Sequence, residues 1–295
     1  VQISGIIPPI VTPLLPNEDL DLPRLRSLID THIELGMHGI FVLGTTGECY
    51  ALSESEKQEV MATAVQHVAG RVPVFAGTGV ETTREAIRLT QIAYREGVNG
   101  VSVITPYYIA PSQAELIDYY RRVAESVSMP VLLYSNPAMS GGVKLDVDTV
   151  AKLAEVPNIV GIKDSSGDLQ HLIELVKATP NGFAVLQGRD TLIYAALMMG
   201  AAGAVPGCSN VAPELALAIY RAFASGDLEG AKTAQAKFSP IRLALAMFTA
   251  PGGVKAAMNA LGMHVGPSRG PIAPPTPEKV ARMQQVLRQI GLLVD

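Results

Sequence analysis

An α/β fold, a closed parallel (β/α)8 barrel of the TIM type with a C-terminal helical extension, is the architecture this sequence predicts. Three observations carry it. Short apolar, β-branched runs recur along the chain, each followed by a helical pattern, at the spacing of successive βα units. Several of these runs are apolar throughout rather than alternating, which is how strands covered on both faces read. The 295 residues are 48% apolar and only 17% charged. An average domain is roughly one quarter charged, so a large core is available.

The strands are predicted over residues 6–11, 39–43, 72–76, 100–104, 131–134, 159–162, 183–186 and 203–205. Helix starts are marked between them. Ser53-x-x-Glu56, Thr82-x-x-Glu85 and Ser112-x-x-Glu115 read as capping boxes, whose side chains satisfy orphan N–H groups of the first turn. Asp21, Asp146, Asp168 and Asp190 read as simple N-caps. On the first helix Leu22, Leu25, Leu28, Ile29 and Ile33 share one face, as an outer-layer helix requires. An open doubly wound sheet is the rival, but it would usually carry a glycine-rich fingerprint after its first strand. Gly77-x-Gly79 lacks the third glycine and follows the third strand instead. The barrel is predicted to take residues 1–226 and the extension residues 227–295. Within the extension, helices are expected over 228–238, 241–247, 253–261 and 277–292, with a proline-rich connector over 266–277.

Charge and composition exclude several classes. Twenty-three basic and 27 acidic residues give a net charge of −4 without blocks, whereas nucleic acid requires a clustered basic stripe. Two cysteines, Cys49 and Cys208, show no metal spacing and suit a reducing cytoplasm. No signal-type start is visible at Val1-Gln2-Ile3-Ser4-Gly5. The longest uncharged run, 23 residues between Asp190 and Glu214, is broken by Gly200, Gly203, Pro206, Gly207 and Asn210, so no membrane partner is expected. The five histidines lack ligand spacing, so no metal is expected.

In such a barrel, reacting groups sit at the C-terminal ends of the strands. After the second strand comes Gly44-Thr45-Thr46-Gly47-Glu48, whose hydroxyls and glycines suit close approach to an anion. A plain βα turn with threonine caps is the alternative. The fourth strand is followed by Thr105-Pro106-Tyr107-Tyr108, and the fifth ends Tyr134-Ser135-Asn136-Pro137. A phenol titrates near pH 10, so it needs help to relay protons. The sharpest feature is Lys163. Of nine lysines most sit among polar residues, whereas Lys163 terminates the apolar run Ile159-Val160-Gly161-Ile162. A buried lysine loses its charge readily and becomes an amine nucleophile for carbonyl compounds. An internal ion pair with Asp164 or Asp190 is the bland alternative.

Together these residues resemble the pyruvate-dependent class I lyase family of dihydrodipicolinate synthase and N-acetylneuraminate lyase, over essentially the whole chain. The motifs are G-T-T-G-E after the second strand, Tyr-x-x-Pro at Tyr134 and Pro137, and the run from Gly161 to Asp168. The resemblance implies a Schiff base between Lys163 and the keto carbon of a 2-oxo acid, with no cofactor beyond that covalent imine. Thr45 and Thr46 would hold the substrate carboxylate. Tyr134 would move the proton, relayed by Thr46 and by Tyr108, which in the family typically comes from a neighbouring subunit. Gly188 and Val205 match pocket-lining positions. The implied partners are pyruvate and an aldehyde, and the implied assembly is a homo-oligomer, dimer or tetramer.

Within that family one position departs. The biosynthetic synthase carries an arginine two residues after the proline, for the carboxylate of aspartate semialdehyde. Met139 stands there, and a thioether cannot form a charge-assisted pair. Gly188-Arg189-Asp190-Thr191 in turn lacks the second acidic residue with which neuraminate lyase grips sugar hydroxyls. The first expectation is therefore an aldolase or lyase of a 2-oxo-3-deoxy sugar acid or of 4-hydroxy-2-oxoglutarate, whose distal carboxylate Arg189 could bind if it faces inward. The synthase itself, or a 2-oxo-3-deoxy acid dehydratase, is the alternative. A catalytically silent binding barrel would be marked by loss of Lys163 or Tyr134, and both are present.

Overall fold

The computed structural model describes residues 3–294. Eight strands are formed: β1 Gly5–Ile6, β2 Ile40–Val42, β3 Val74–Gly77, β4 Gly100–Ile104, β5 Val131–Ser135, β6 Ile159–Asp164, β7 Ala184–Gln187 and β8 Gly203–Ala204. All neighbours are parallel, in the order β1-β8-β7-β6-β5-β4-β3-β2. The ring closes just beyond β1. There the Phe41 N–H donates to the Pro8 carbonyl (3.0 Å), and the Ile10 N–H donates to the Phe41 carbonyl (2.9 Å). Pro8 and Pro9 have no N–H to give a ladder. For that reason the first strand, predicted over residues 6–11, shrinks to Gly5–Ile6 plus an isolated bridge at Pro9.

Between the strands run α1 Leu22–Leu35, α2 Glu54–Val68, α3 Thr83–Glu96, α4 Gln113–Glu125, α5 Val147–Leu153, α6 Leu169–Ala178 and α7 Ile193–Met198, and α8 Pro213–Ala224 follows β8. Ser53 and Ser112 make reciprocal capping boxes, whereas Thr82 accepts from the Glu85 N–H without the return bond. Asp21 and Asp168 cap through their side chains, and Asp146 stands at its N-cap without a side-chain bond. Asp190 is no helix cap. It opens a short 3₁₀ turn, is buried, and accepts the Cys208 N–H at 2.7 Å.

Alternation along the strands separates two cores. Ile40, Val42, Val101, Val103, Leu133 and Ile162 face the helices, whereas Phe41, Phe75, Leu132, Leu186 and Val205 pack together inside the ring with Ile7. The barrel is thus filled rather than open, and a site can form only above this plug, at the C-terminal rim.

Three further helices follow: α9 Leu228–Leu245, α10 Gly252–Ala260 and α11 Pro277–Gln289. The two helices predicted over 228–238 and 241–247 are one, running through Pro240. A proline inside a helix loses a backbone bond, and here that loss is offset by burial of Ala231, Ala234, Phe238, Ile241 and Leu245 along the helix. Ala234, Phe238, Ile241 and Leu245 share one apolar cluster with Ile6 of β1, Ala204 of β8 and Leu217 of α8. The extension is therefore welded to the β8–β1 side of the barrel. No helix among the described residues is long and apolar enough to cross a membrane.

Candidate active site

Parallel register places Tyr134 of β5 directly beside Lys163 of β6. Both side chains are buried, and the lysine Nζ lies 4.4 Å from the centre of the Tyr134 ring and 5.3 Å from that of Phe41. Neither aspartate considered as a partner takes the lysine. Asp164 accepts from the backbone N–H (3.2 Å) and hydroxyl (2.7 Å) of Ser166, and Asp190 is spent on Cys208 and Arg242. Lys163 makes no ion pair among the described residues.

The Tyr134 phenol is the electrostatic focus. Burial pushes its pKa up, but the Lys163 charge and hydrogen bonds with Thr45, Asn136 and Ser165 outweigh burial and bring it below the ordinary phenol value. Asn136 Nδ2 donates to the phenol oxygen at 2.8 Å. The threonine hydroxyl that reaches Tyr134 is that of Thr45, not the Thr46 expected as relay. Successive side chains of the turn point apart, and Thr46 instead faces Gly207 across the cavity.

The turn that presents both threonines is tightly wound. Its Gly47 N–H donates to Gly44 O (3.0 Å), its Glu48 N–H donates to Thr45 O (3.1 Å), and Thr12 Oγ1 donates to Gly47 O (2.7 Å). Glu48 sits at φ +54° with its carboxylate buried. That carboxylate pairs with Lys255 of α10 at 2.6 Å and accepts the Arg269 N–H at 2.9 Å. Lys255 also donates to Pro267 O at 2.7 Å, while the Arg269 guanidinium holds Glu56 at the start of α2. The extension thus clamps the anion turn from behind.

A cavity of about 160 Å³ opens above Lys163. Of the residues expected there, Thr45, Thr46, Tyr134, Met139, Lys163, Gly188, Arg189 and Val205 line it. Gly188 is needed for close approach, since a Cβ there would lie 1.9 Å from Ser165 Oγ. A second, more apolar lobe of about 240 Å³ shares Thr45, Tyr134 and Met139 and extends to Cys49, Tyr50 and Tyr107. Tyr108 is not brought to the cavity of its own chain: it stands 97% exposed at φ +77°. Sequence reasoning missed Asn136, Ser165 and Arg242 among the lining residues. Asn136 and Ser165 lie inside recognised motifs but were given no role there, whereas Arg242, on α9, had no local signal. Among the described residues no three His, Cys, Asp or Glu side chains gather as a metal site.

Comparison with known proteins places this geometry. A sequence profile of the Dihydrodipicolinate synthetase family matches residues 2–290. The chain is 38% identical over 291 residues to a 4-hydroxy-tetrahydrodipicolinate synthase of Azoarcus sp. (strain BH72), covering 99% of each chain. A 4-hydroxy-tetrahydrodipicolinate synthase of Methanopyrus kandleri is 37% identical over 296 residues, covering 100% of this chain and 98% of that one. Among solved structures, YagE of E. coli K12, a prophage protein of the dihydrodipicolinic acid synthase family crystallised with pyruvate, superposes with TM-score 0.95. It is 34% identical, with 99% of this chain and 100% of that one covered.

Proposed function

The chain belongs to the dihydrodipicolinate synthetase family, enzymes of the class I aldolase type, and on that premise we propose that it makes or cleaves a carbon–carbon bond between pyruvate and an aldehyde through an imine on Lys163. The observation that carries this is the juxtaposition of a buried lysine, unpaired among the described residues, with a phenol to which Asn136 donates and whose pKa is held below its ordinary value. In the condensing direction the Lys163 amine attacks the keto carbon of pyruvate. Tyr134 passes a proton to the departing hydroxyl, so that water leaves and a protonated imine forms. That imine is the electron sink, and no separate cofactor is invoked. The Tyr134 phenolate takes a C3 proton to give the enamine, whose C3 adds to the aldehyde carbon while the restored phenol returns that proton to the aldehyde oxygen. Water then releases the product. Thr45 shares the phenol's proton, and Thr46, through its hydroxyl and the N–H groups of Thr45 and Thr46, receives the pyruvate carboxylate. Tyr108, exposed on the β4–α4 loop, would reach the site of a second copy in a homo-oligomer of cytoplasmic location.

For the aldehyde half, Met139 at the mouth of the cavity supports a 4-hydroxy-2-oxo or 2-oxo-3-deoxy acid over aspartate semialdehyde, because methionine offers no cation at the place where the biosynthetic synthase holds the semialdehyde carboxylate, and a desolvated carboxylate can be held only where another cation lines the wall. The second reading is 4-hydroxy-tetrahydrodipicolinate synthase, and the names of the relatives at 37–38% identity favour it. Borohydride reduction with pyruvate, followed by kcat/KM on semialdehyde, 4-hydroxy-2-oxo acids and 2-oxo-3-deoxy acids, tests both. No pyruvate adduct overturns the imine. A semialdehyde value of about 10⁴ M⁻¹s⁻¹ or more, the ordinary enzyme range, with no cleavage of the others, selects the synthase.

A further inference from the structure

Arg242 enters the cavity from α9, far in sequence from every motif, and lines it together with Lys163, Arg189 and Asp190. Its Nε lies 3.7 Å from Asp190 Oδ2, an ionic distance rather than a hydrogen bond. The other oxygen of that carboxylate is taken by the Cys208 N–H. Asp190 is 7% exposed and Arg242 33% exposed in their side chains, so the carboxylate aims the guanidinium without consuming its five N–H donors. An arginine with unspent donors on a cavity wall is suited to grip a carboxylate in a forked pair.

The charges of the lining point the same way. Three cations, Lys163, Arg189 and Arg242, face one carboxylate, Asp190, in a chain whose net charge is −4. Pyruvate bound as a protonated imine is internally neutral, its carboxylate offsetting the iminium charge. One excess positive charge then remains for the second reactant. Of the two arginines, Arg189 lies along the β6–α6 loop, its Nε 3.3 Å from where a Cβ on Gly167 would stand. Arg242 is the one fixed by a buried carboxylate.

We propose that Arg242 is the specificity-determining cation of this site, taking the far carboxylate of the second reactant, so that the aldehyde half is a short aldehyde carrying its own carboxylate. The proposal rests on the imine reading above. It replaces Arg189, the cation considered from sequence, with one from a different element. It also relocates the positive partner that Met139 cannot provide.

The experiment compares wild type, Arg242→Leu, Arg242→Lys and Arg189→Leu with pyruvate plus glyoxylate, and with pyruvate plus uncharged glyceraldehyde. Borohydride trapping of pyruvate is read on every variant. For Arg242→Leu, kcat/KM with glyoxylate should fall about 10- to 100-fold, the range of a lost charge-assisted contact, with the change mainly in glyoxylate KM. The glyceraldehyde reaction and the pyruvate adduct should change less than about threefold, and Arg242→Lys should recover part of the loss. Equal losses for both aldehydes would mean a structural role through Asp190 and overturn the proposal. So would a selective loss on Arg189→Leu in place of Arg242→Leu, or a wild type that prefers glyceraldehyde. A wild type without the pyruvate adduct overturns the imine reading, and this proposal with it.

Discussion

Lys163 and Lys255 are both buried lysines near the same rim, 6% and 2% exposed, and their surroundings assign them opposite work. Lys163 ends a barrel strand between two aromatic rings and has no carboxylate partner among the described residues. Lys255 meets the Glu48 carboxylate at 2.6 Å and the Pro267 carbonyl at 2.7 Å. Burial draws the Lys255 ammonium below its ordinary pKa, and Glu48 opposes that shift. Burial by itself therefore does not make a nucleophile. A lysine reacts when its amine opens onto a cavity and its charge is not already claimed, and it becomes a clamp when a carboxylate claims it.

The sharpest way to break this comparison is to remove each lysine in turn. Lys163→Ala should abolish borohydride trapping of pyruvate and lower turnover by roughly 10⁴-fold or more, as loss of a covalent nucleophile does. Lys255→Met should still gain one reduced pyruvyl mass. A second adduct on wild type, lost with Lys255, would dissolve the distinction. Tyr134→Phe tests the partner that only Lys163 has. Turnover should drop about 10²–10⁴-fold with the adduct retained, and a value within twofold of wild type would remove Tyr134 from proton transfer.

Lys255→Met should instead act on stability, because it strands the Glu48 carboxylate in the interior. Removing one member of a buried pair costs about 3–5 kcal/mol. Chemical denaturation should show that loss, and the double variant with Glu48→Gln should recover part of it. No recovery would mean that Lys255 acts through packing alone. The smallest effect belongs to a third buried base, His32 of α1, which has neither cavity nor partner for Nδ1 among the described residues. Burial lowers its pKa from 6.5 to about 4. The unfolded chain therefore takes up a proton on this side chain before the folded one does. Stability is intact above pH 6.5 and falls by about 3 kcal/mol as pH drops through 4. Urea unfolding of wild type and His32→Leu across that window would check it, the variant losing this part of the slope.

Lys163 could be recognised in sequence because an uncompensated lysine at the end of an apolar run is locally anomalous. Lys255 could not, because Gly253-Val254-Lys255-Ala256-Ala257 reads as an ordinary helical segment and its partner lies some two hundred residues away. The same contrast separates Tyr134, announced by its strand, from Arg242, whose role depends on where α9 docks. Thr45 and Thr46 show a finer limit. Their motif was plain, but which hydroxyl meets the phenol depends on how the turn winds, and the structure gives that place to Thr45.

What the sequence determined by itself was whatever local periodicity and strand ends encode: eight βα units, most helix caps, and the threonines, phenol and lysine carried at the ends of β2, β5 and β6. These are legible because a strand's side-chain alternation and a helix's first-turn chemistry are set within a few residues. Only the tertiary structure decided that α9 runs unbroken through Pro240, that α10 clamps the anion turn through Glu48, and that Arg242 joins the cavity wall. Each depends on a charge or apolar face whose partner is remote in the chain. The energy of such pairs comes from shared burial, which no local pattern records.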